Sequence, residues 1–186
     1  DGGIVRDTLA DTRAALREMA ARADLIVTSG GVSVGEEDHL KPAAEAEGRI
    51  DHWQIAMKPG KPLAFGSIRR PDGSSALLVG LPGNPVSSFV TWLVAVSTVL
   101  RGLQGMAPGL PPSLGLRADF DWPRADKRRE FLRVRLNEAG GVELFNNQSS
   151  GVLTSAVWAD GLVDNPGGQA IRRGDAVRFL PLAALV

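Results

Sequence analysis

The sequence predicts an α/β fold in which a parallel-sheet domain, incomplete at its N-terminus, is followed by a small, mostly β, barrel-like domain. An amphipathic stretch at 8–23 leads directly into a continuous apolar segment at 25–28, a succession typical of a helix and a central parallel strand. A segment at 106–113 is rich in proline and glycine, and beyond it apolar and polar residues alternate as in half-buried strands. We therefore predict domains at 1–106 and 107–186.

The composition narrows the classes of function. The 186 residues carry 21 basic and 21 acidic side chains, and a neutral chain gives no general attraction to nucleic acid or to a membrane. The absence of cysteine excludes disulfides and thiolate sites and fits a reducing cytoplasm, while two histidines are too few for a multi-histidine zinc site. The apolar run within 89–100 is too short to span a bilayer, and the first residues lack the pattern of a signal peptide. We expect a chain that is entered partway through a domain.

Local patterns predict the remaining elements of the first domain. We expect a helix at 39–47, a strand at 53–57, and two strands at 63–68 and 76–81 around a turn. Asn84 and Pro85 predict the N-cap and first position of a long helix that ends near residue 103. Apolar residues surround most of this helix, so we expect burial on both sides, by the sheet and by another domain or subunit.

The second domain is predicted to hold strands at 114–120, 132–136, 142–144 and 177–179, with one or two helical turns at 152–158. Basic residues concentrate near one hairpin: Arg124, Lys127, Arg128, Arg129, Arg133 and Arg135. A solvated face is the ordinary interpretation of such a group. Arg133 and Arg135 share one strand face, however, and an anion-facing surface is the alternative.

The first candidate site follows the apolar segment at 25–28. Glycines at the end of a strand let backbone N–H groups approach an anion closely, and the glycine-rich turn consists of Ser29, Gly30, Gly31, Ser33 and Gly35. Three acidic residues come next, Glu36, Glu37 and Asp38, and they would repel an anion unless a hard cation such as Mg²⁺ lay between. The alternatives are a plain tight turn and carboxylates that only complement a helix dipole.

The second candidate site is the loop Lys58-Pro-Gly-Lys61-Pro. Two prolines and a glycine constrain it, which favours fixed ammonium groups over the solvated lysines of a flexible loop. A lysine about 4 Å from an oxyanion gains roughly 4 kcal/mol before desolvation at an effective dielectric constant of about 20. We expect Asp38, Lys58 and Lys61 to converge on one crevice at the same edge of the sheet.

In two further segments, a structural role alone accounts for the residues present. Pro82, Gly83 and Asn84 form a turn and a helix cap with Pro85. Asp7 precedes the first helix, and either Asp7 or Thr8 can act as its N-cap.

Three motifs occur together: Ser-Gly-Gly-Val-Ser-Val-Gly-Glu-Glu-Asp at 29–38, Lys-Pro-Gly-Lys-Pro at 58–62 and Gly-Leu-Pro-Gly-Asn-Pro-Val-Ser at 80–87. In order and spacing they resemble the molybdopterin molybdenumtransferase family, which includes the E domain of gephyrin. Residues 1–106 resemble most of that family's pterin-binding domain, and residues from about 110 onward resemble its C-terminal β domain more weakly.

The resemblance implies that molybdate is inserted into adenylylated molybdopterin while Mg²⁺-dependent hydrolysis releases AMP. It implies that Asp38 and Asp7 act at the metal and in catalysis, and that Lys58 and Lys61 bind the oxyanion. Ser29, Gly30, Gly31, Ser33 and Gly35 match the loop that holds the pterin or nucleotide phosphates. The other predicted binding residues are Pro82, Gly83 and Asn84, with looser matches at Ser150 and Arg128.

The resemblance also implies a cytoplasmic homodimer, with molybdopterin adenylyltransferase as a candidate partner. The family's first pterin-domain strand and helix and its N-terminal domains lack a match here, so we expect little activity from the chain alone. Two alternatives remain open at this point. One is a molybdopterin adenylyltransferase of the same fold, whose loop has Gly-Gly-Thr-Gly where this chain has Val32 to Val34, and the other is a non-catalytic scaffold.

Overall fold

The chain forms two compact units. The computed structural model describes residues 1–32, 39–107, 109–110 and 113–185. Unit 1 consists of Asp1–Ile55 and Gly60–Gly83, and unit 2 consists of Ala56–Pro59 together with the chain from Asn84 onward. The predicted domain boundary between residues 106 and 107 stays a prediction.

Unit 1 is a four-stranded sheet with two helices. Its elements are α1 (Leu9–Arg22), β1 (Leu25–Ser29), α2 (Leu40–Glu47), β2 (Gly48–Gln54), β4 (Pro62–Arg69) and β5 (Ser75–Leu81), while β3 (Met57–Lys58) belongs to unit 2. The strand order is β1-β5-β4-β2. The predicted α/β class is confirmed, but the sheet is mixed rather than parallel throughout. Within this sheet, only β1 and β5 pair in parallel among the described strands, because β4 and β5 form a hairpin and β2 pairs antiparallel with β4.

The core of unit 1 lies between the helices and the sheet. Its buried side chains include Leu16, Ala20, Ile26, Ala43 and Leu78. The sequence predicted a central parallel strand at 25–28, and the central position was wrong for the part of the chain that the structure describes. There β1 pairs with β5 alone, and Val27 is 36% exposed.

The N-terminus of α1 is capped by Thr8. The Thr8 hydroxyl accepts a hydrogen bond from the backbone N–H of Asp11 at 3.1 Å, which satisfies one of the donors left free at a helix start. At the other end, the guanidinium of Arg70 donates to the carbonyl oxygens of Ala20 and Ala23 at 2.6 and 2.7 Å. Both ends of α1 therefore have side-chain partners, and Asp7 is not the N-cap.

Unit 2 is built around a closed ring of strands. β6 (Leu114–Ala118), β7 (Arg129–Leu136), β8 (Gly141–Leu144), β9 (Gly161–Asn165) and β10 (Ala176–Pro181) form the order β7-β8-β6-β10-β9, and β9 pairs back to β7. This closure confirms the barrel-like domain. β3 extends the sheet by a parallel pairing with β7. The interior holds the apolar residues Leu132, Val134, Val142, Val163 and Phe179, and α4 (Thr154–Trp158) accompanies the ring.

The long helix α3 (Pro85–Leu103) opens unit 2 after β5. Pro85 occupies the first helical position as predicted, whereas Asn84 is extended and its side chain makes no capping hydrogen bond. Trp92–Val96 is a π-helical segment within it. By length and composition alone, α3 is apolar enough to cross a membrane, a property that core helices of many proteins share. Val90 and Val96 are fully buried but Trp92 is 37% exposed, so the expected burial on both sides is not met within this chain.

Candidate functional site

A cleft in unit 1 brings together several of the predicted site residues. It has a volume of about 750 Å³ and is lined by 1–7, by one face of α1, and by β1 with the glycines that follow it. Asp7, Ser29, Gly30 and Gly31 all lie on its wall. A cleft of this size falls in the range of small-molecule sites.

The backbone of the glycine turn needs residues without a Cβ atom. Gly30 and Gly31 have φ angles of 86° and 72°, in the left-handed region that other L-residues rarely adopt. The N–H of Gly30 donates to the carbonyl of Leu81 at 3.0 Å, which ties the turn to the end of β5. A Cβ atom built on Gly30 would meet nothing within 4 Å. Conformation, and not crowding, therefore requires glycine at this position.

Asp7 is available to a ligand. Thr8 serves as the N-cap of α1, and within the described ranges the exposed Asp7 carboxylate has neither a hydrogen-bond nor an ion-pair partner. A solvated carboxylate on the wall of a cleft can bind a cation or accept a proton without first breaking an internal contact.

Thr28 is a member of this site that the sequence did not indicate. It lines the cleft, and its hydroxyl oxygen is buried without a hydrogen-bond partner among the described residues. An unsatisfied buried hydroxyl costs about 1–3 kcal/mol. The only signal in the sequence was a polar residue at the end of an apolar strand.

The acidic part of the first motif cannot be placed. Ser33, Gly35, Glu36, Glu37 and Asp38 lie outside the residues that the structure describes. The predicted convergence of Asp38 with the two lysines therefore stays a prediction. Elsewhere in the chain, the described residues form no group of three or more histidine, cysteine, aspartate or glutamate side chains able to hold a metal.

Lys58 lies in a cluster of charges in unit 2. Pairing of β3 with β7 sets Lys58 opposite Glu130, and the two side chains are 3.2 Å apart from Nζ to Oε1. The Nζ atom of Lys58 is also 3.6 Å from Oδ2 of Asp126 and 5.9 Å from the centre of the Trp122 ring. Glu130 is fully buried, and its Oε2 accepts hydrogen bonds from Trp122 Nε1 at 2.8 Å and from the backbone N–H of Asp126 at 3.3 Å.

Arg128 belongs to the same cluster. Its guanidinium binds both carboxylate oxygens of Asp126, at 2.9 and 2.7 Å. The hydrogen bond from Arg128 holds the pKa of Asp126 well below its usual range, and the same bond raises the pKa of Arg128. Two cations and two carboxylates thus compensate each other, and we name Lys58, Asp126, Arg128 and Glu130 the Lys58 cluster.

Lys61 differs from Lys58. It is exposed and belongs to unit 1, where its carbonyl accepts the N–H of Ile55 at 3.0 Å. In the described part of the chain, no carboxylate lies within 4.0 Å of its ammonium group. Lys61, unlike Lys58, therefore has no counter-charge among the residues that the structure describes.

The segment around Asn84 approaches the Ser150 loop. The N–H of Val86, in the first turn of α3, donates to the carbonyl of Ser150 at 3.1 Å. This bond brings two predicted binding residues, Asn84 and Ser150, to the same end of α3 within unit 2. Pro82 and Gly83 belong to unit 1, with Pro82 buried and Gly83 exposed.

Arg133 is buried, contrary to the solvated face expected for the basic hairpin. It is 1% exposed, and its guanidinium donates to Ser155 Oγ at 3.2 Å and to the carbonyl of Ser149 at 3.3 Å. Burial lowers the pKa of Arg133 to about 10. The 145–155 segment covers this face of β7, and strand alternation alone gave no sign of that cover.

Comparisons with known proteins bear on both units. The family described as a probable molybdopterin binding domain matches residues 1–102, and the family described as the MoeA C-terminal region (domain IV) matches residues 116–182. The molybdopterin molybdenumtransferase of Haemophilus influenzae is 40% identical over 147 residues, which cover 77% of this chain and 35% of that protein. That of a Nostoc species is 32% identical over 187 residues, covering 97% and 42%.

Gephyrin of Dictyostelium discoideum is 38% identical over 114 residues, covering 55% of this chain and 16% of gephyrin. Among solved structures, the MoeA molybdopterin biosynthesis protein of Pyrococcus horikoshii has a TM-score of 0.76 at 26% identity, covering 97% of this chain and 43% of that one. The chain spans less than half of the length of these relatives.

Proposed function

Because this chain belongs to the family of probable molybdopterin binding domains, we propose that it acts in molybdenum cofactor biosynthesis as part of a molybdopterin molybdenumtransferase. In the proposed reaction, molybdate is inserted into adenylylated molybdopterin, the phosphoanhydride bond to AMP is hydrolysed, and AMP leaves. Two relatives that are 40% and 32% identical to this chain carry the name of this enzyme, which favours it over an adenylyltransferase or a scaffold.

The observation that carries the proposal is the shared cleft of Asp7, Ser29, Gly30 and Gly31. A phosphate group requires backbone donors that it can approach closely, and the left-handed Gly30 leaves open space where a side chain would stand. We infer that this turn, with Ser33 and Gly35, binds the phosphates or the pterin of the substrate.

Mg²⁺ would be held by Asp7 and Asp38. Mg²⁺ is commonly bound by one or two carboxylates together with phosphate oxygens and water, so an unpartnered Asp7 beside a phosphate turn fits this ion. When bound, the ion would neutralise charge that develops on the phosphoanhydride. Asp7 itself would orient water and substrate at the cleft wall.

Lysines would capture the oxyanion. Molybdate is a tetrahedral dianion, and the exposed, uncompensated Lys61 offers it a positive charge with little to displace. Lys58 and Arg128 would act from the Lys58 cluster. Asn84 and Ser150 would contribute binding groups at the start of α3 in unit 2, and Pro82 and Gly83 would contribute binding groups in unit 1.

Substrate binding by this chain and by two variants tests the function. We expect the wild type to bind adenylylated molybdopterin in calorimetry, Asp7→Asn to lose most of the Mg²⁺ dependence of binding, and Gly30→Val to bind at least tenfold more weakly. Asp24→Asn, an exposed carboxylate in the same unit, is the control. AMP release stimulated by molybdate supports the transferase, adenylylation from ATP supports the alternative enzyme, and an absence of binding contradicts both.

The assembly and location are also proposals. We infer a homodimer in which the exposed side of α3, including Trp92 and Leu103, is covered, with the adenylyltransferase as a further partner and the cytoplasm as the location. Light scattering that gives a monomer at micromolar concentration would contradict the dimer.

A further inference from the structure

One oxygen atom lies between two cations of the Lys58 cluster. Oδ2 of Asp126 is 2.7 Å from Nη2 of Arg128 and 3.6 Å from Nζ of Lys58. The carboxylate oxygen therefore receives from the two cations the contacts that an oxyanion would otherwise receive. The Asp126 carboxylate thus occupies the position between the two cations where an external anion could bind.

We propose that Asp126 is an internal competitor for the oxyanion, which binds Lys58 and Arg128 only by displacing the Asp126 carboxylate. The proposal rests on the proposed function, because the anion-binding roles of Lys58 and Arg128 come from it. Asp126 thereby weakens oxyanion binding, and only an anion that contacts both cations replaces it.

Asp126, and not Glu130, is the group that moves. The Glu130 side chain is 1% exposed and has three hydrogen-bond donors, from Lys58, Trp122 and the Asp126 backbone. Its displacement would leave a buried carboxylate unpaired, which is strongly unfavourable. The Asp126 carboxylate also accepts hydrogen bonds, from the Arg128 guanidinium and from the Arg128 backbone N–H at 3.0 Å, but its side chain is 20% exposed, so water can solvate it when it is displaced. Glu130 therefore keeps Lys58 in place while Asp126 gives way.

The charge state of Asp126 makes it a permanent competitor. The hydrogen bond from Arg128 keeps the pKa of Asp126 below its ordinary value, so the group stays a carboxylate at neutral pH. Protonation of Asp126 therefore does not remove its negative charge from between the two cations at neutral pH. A tetrahedral dianion such as molybdate can contact both cations at once and so replaces what the carboxylate supplied.

Asp126→Asn and a matched control test this directly. Asp119 forms an equivalent bidentate pair with Arg117 at 2.8 and 3.0 Å in the same unit, so Asp119→Asn makes the same chemical change elsewhere. In calorimetric titrations with molybdate, we expect Asp126→Asn to bind roughly tenfold more tightly than the wild type, which corresponds to about 1.4 kcal/mol. Asp119→Asn and the charge-conserving Asp126→Glu should stay within about twofold of the wild type.

Titration of the ¹⁵N signals of Arg128 Nε and Trp122 Nε1 gives a readout at the cluster itself. Molybdate should shift both signals in the wild type, and at lower concentration in Asp126→Asn. Unchanged or weaker molybdate binding by Asp126→Asn overturns the proposal but leaves the function standing if the wild type binds molybdate. Molybdate binding without any shift at Arg128 or Trp122 overturns it as well. If neither protein binds molybdate, the proposal fails, and the substrate titration described above decides separately about the function.

Discussion

The Nε atom of Arg133 donates to Oγ of Ser155 at 3.2 Å in the interior of unit 2. Ser149 supplies a second acceptor through its carbonyl, and Arg133 has no carboxylate within 4.0 Å in the described ranges. A buried guanidinium held only by neutral acceptors depends on the geometry of each hydrogen bond, because no ionic partner fixes it.

Arg133→Lys should therefore destabilise the chain. An ammonium group cannot reproduce the planar donors that reach Ser155 and Ser149, and we expect a loss of about 1–3 kcal/mol in the free energy of unfolding in urea. Arg135→Lys on the same strand, where the arginine is about half exposed and paired with Glu143, should cost less than about 1 kcal/mol. Equal losses in the two variants would contradict the buried role of Arg133.

Substitution of Thr8 should cost more stability than substitution of Asp7. Thr8→Ala removes the cap of α1 and should cost about 1 kcal/mol of stability. Asp7→Ala should change stability by less than about 0.5 kcal/mol, because the carboxylate has no partner to lose among the described residues. Thermal unfolding of both variants measures the difference. A larger loss for Asp7→Ala than for Thr8→Ala would contradict the assignment of Thr8 as the cap.

Gly30 and Gly102 provide a pair that separates conformation from space. Neither has a neighbour within 4 Å of a built Cβ atom, but only Gly30 has a positive φ. Gly30→Ala should destabilise by about 1–2 kcal/mol, while Gly102→Ala in α3 should stabilise by about 0.5–1 kcal/mol. An unchanged or raised urea midpoint for Gly30→Ala would show that the turn does not require glycine.

Asp164 should contribute more to stability than an exposed carboxylate. Its side chain is 1% exposed and accepts from Arg129 at 2.5 and 2.6 Å, with Arg178 at 3.3 Å. Asp164→Asn removes charge-assisted hydrogen bonds to two arginines that are themselves about half exposed, and we expect a loss of about 1.5–3 kcal/mol. Asp24→Asn, whose side chain is 81% exposed beside Arg70, should lose less than about 1 kcal/mol in the same denaturation experiment.

Acid sensitivity should depend on Asp119 and Asp126. Arginine hydrogen bonds hold both pKa values below the ordinary value of 3.8 in the folded chain. A carboxyl group whose pKa is lower in the folded chain than in the unfolded chain stabilises the fold at pH values above its unfolded pKa. This stabilisation is lost as the pH falls toward its folded pKa. The variant with both aspartates changed to asparagine should therefore lose less stability than the wild type between about pH 5 and pH 2. Urea unfolding across that range measures it, and parallel curves would refute it.

Much of the fold could be predicted from local patterns. The amphipathic stretch gave α1 to within one residue at each end, and Pro85 marked the start of α3. β9 was missed, although all five of its residues are buried, because Asp164 and Asn165 break the apolar pattern. Their burial depends on partners such as Arg129 that lie far away in the sequence. The mixed sheet likewise depends on pairing that no single segment specifies.

The candidate site likewise has features that the sequence could predict and features that it could not. The glycine turn was predicted from a motif and Asp7 from the family resemblance alone, and both line one cleft. The neutralisation of Lys58 could not, because Asp126 and Glu130 lie about seventy residues further along the chain. Lys58 was predicted as an oxyanion-binding lysine without any sign of its counter-charges, and pairing of β3 with β7 was needed to identify them.

The placement of β3 limits how this protein can be dissected. Met57 and Lys58 belong to unit 2, yet the chain on both sides of Ala56–Pro59 belongs to unit 1. A truncation that starts at Asn84 would discard the strand opposite Glu130 and leave that buried acid without its lysine. No single backbone cut separates the two units intact. Expressing them as two consecutive segments would therefore leave unit 2 without β3.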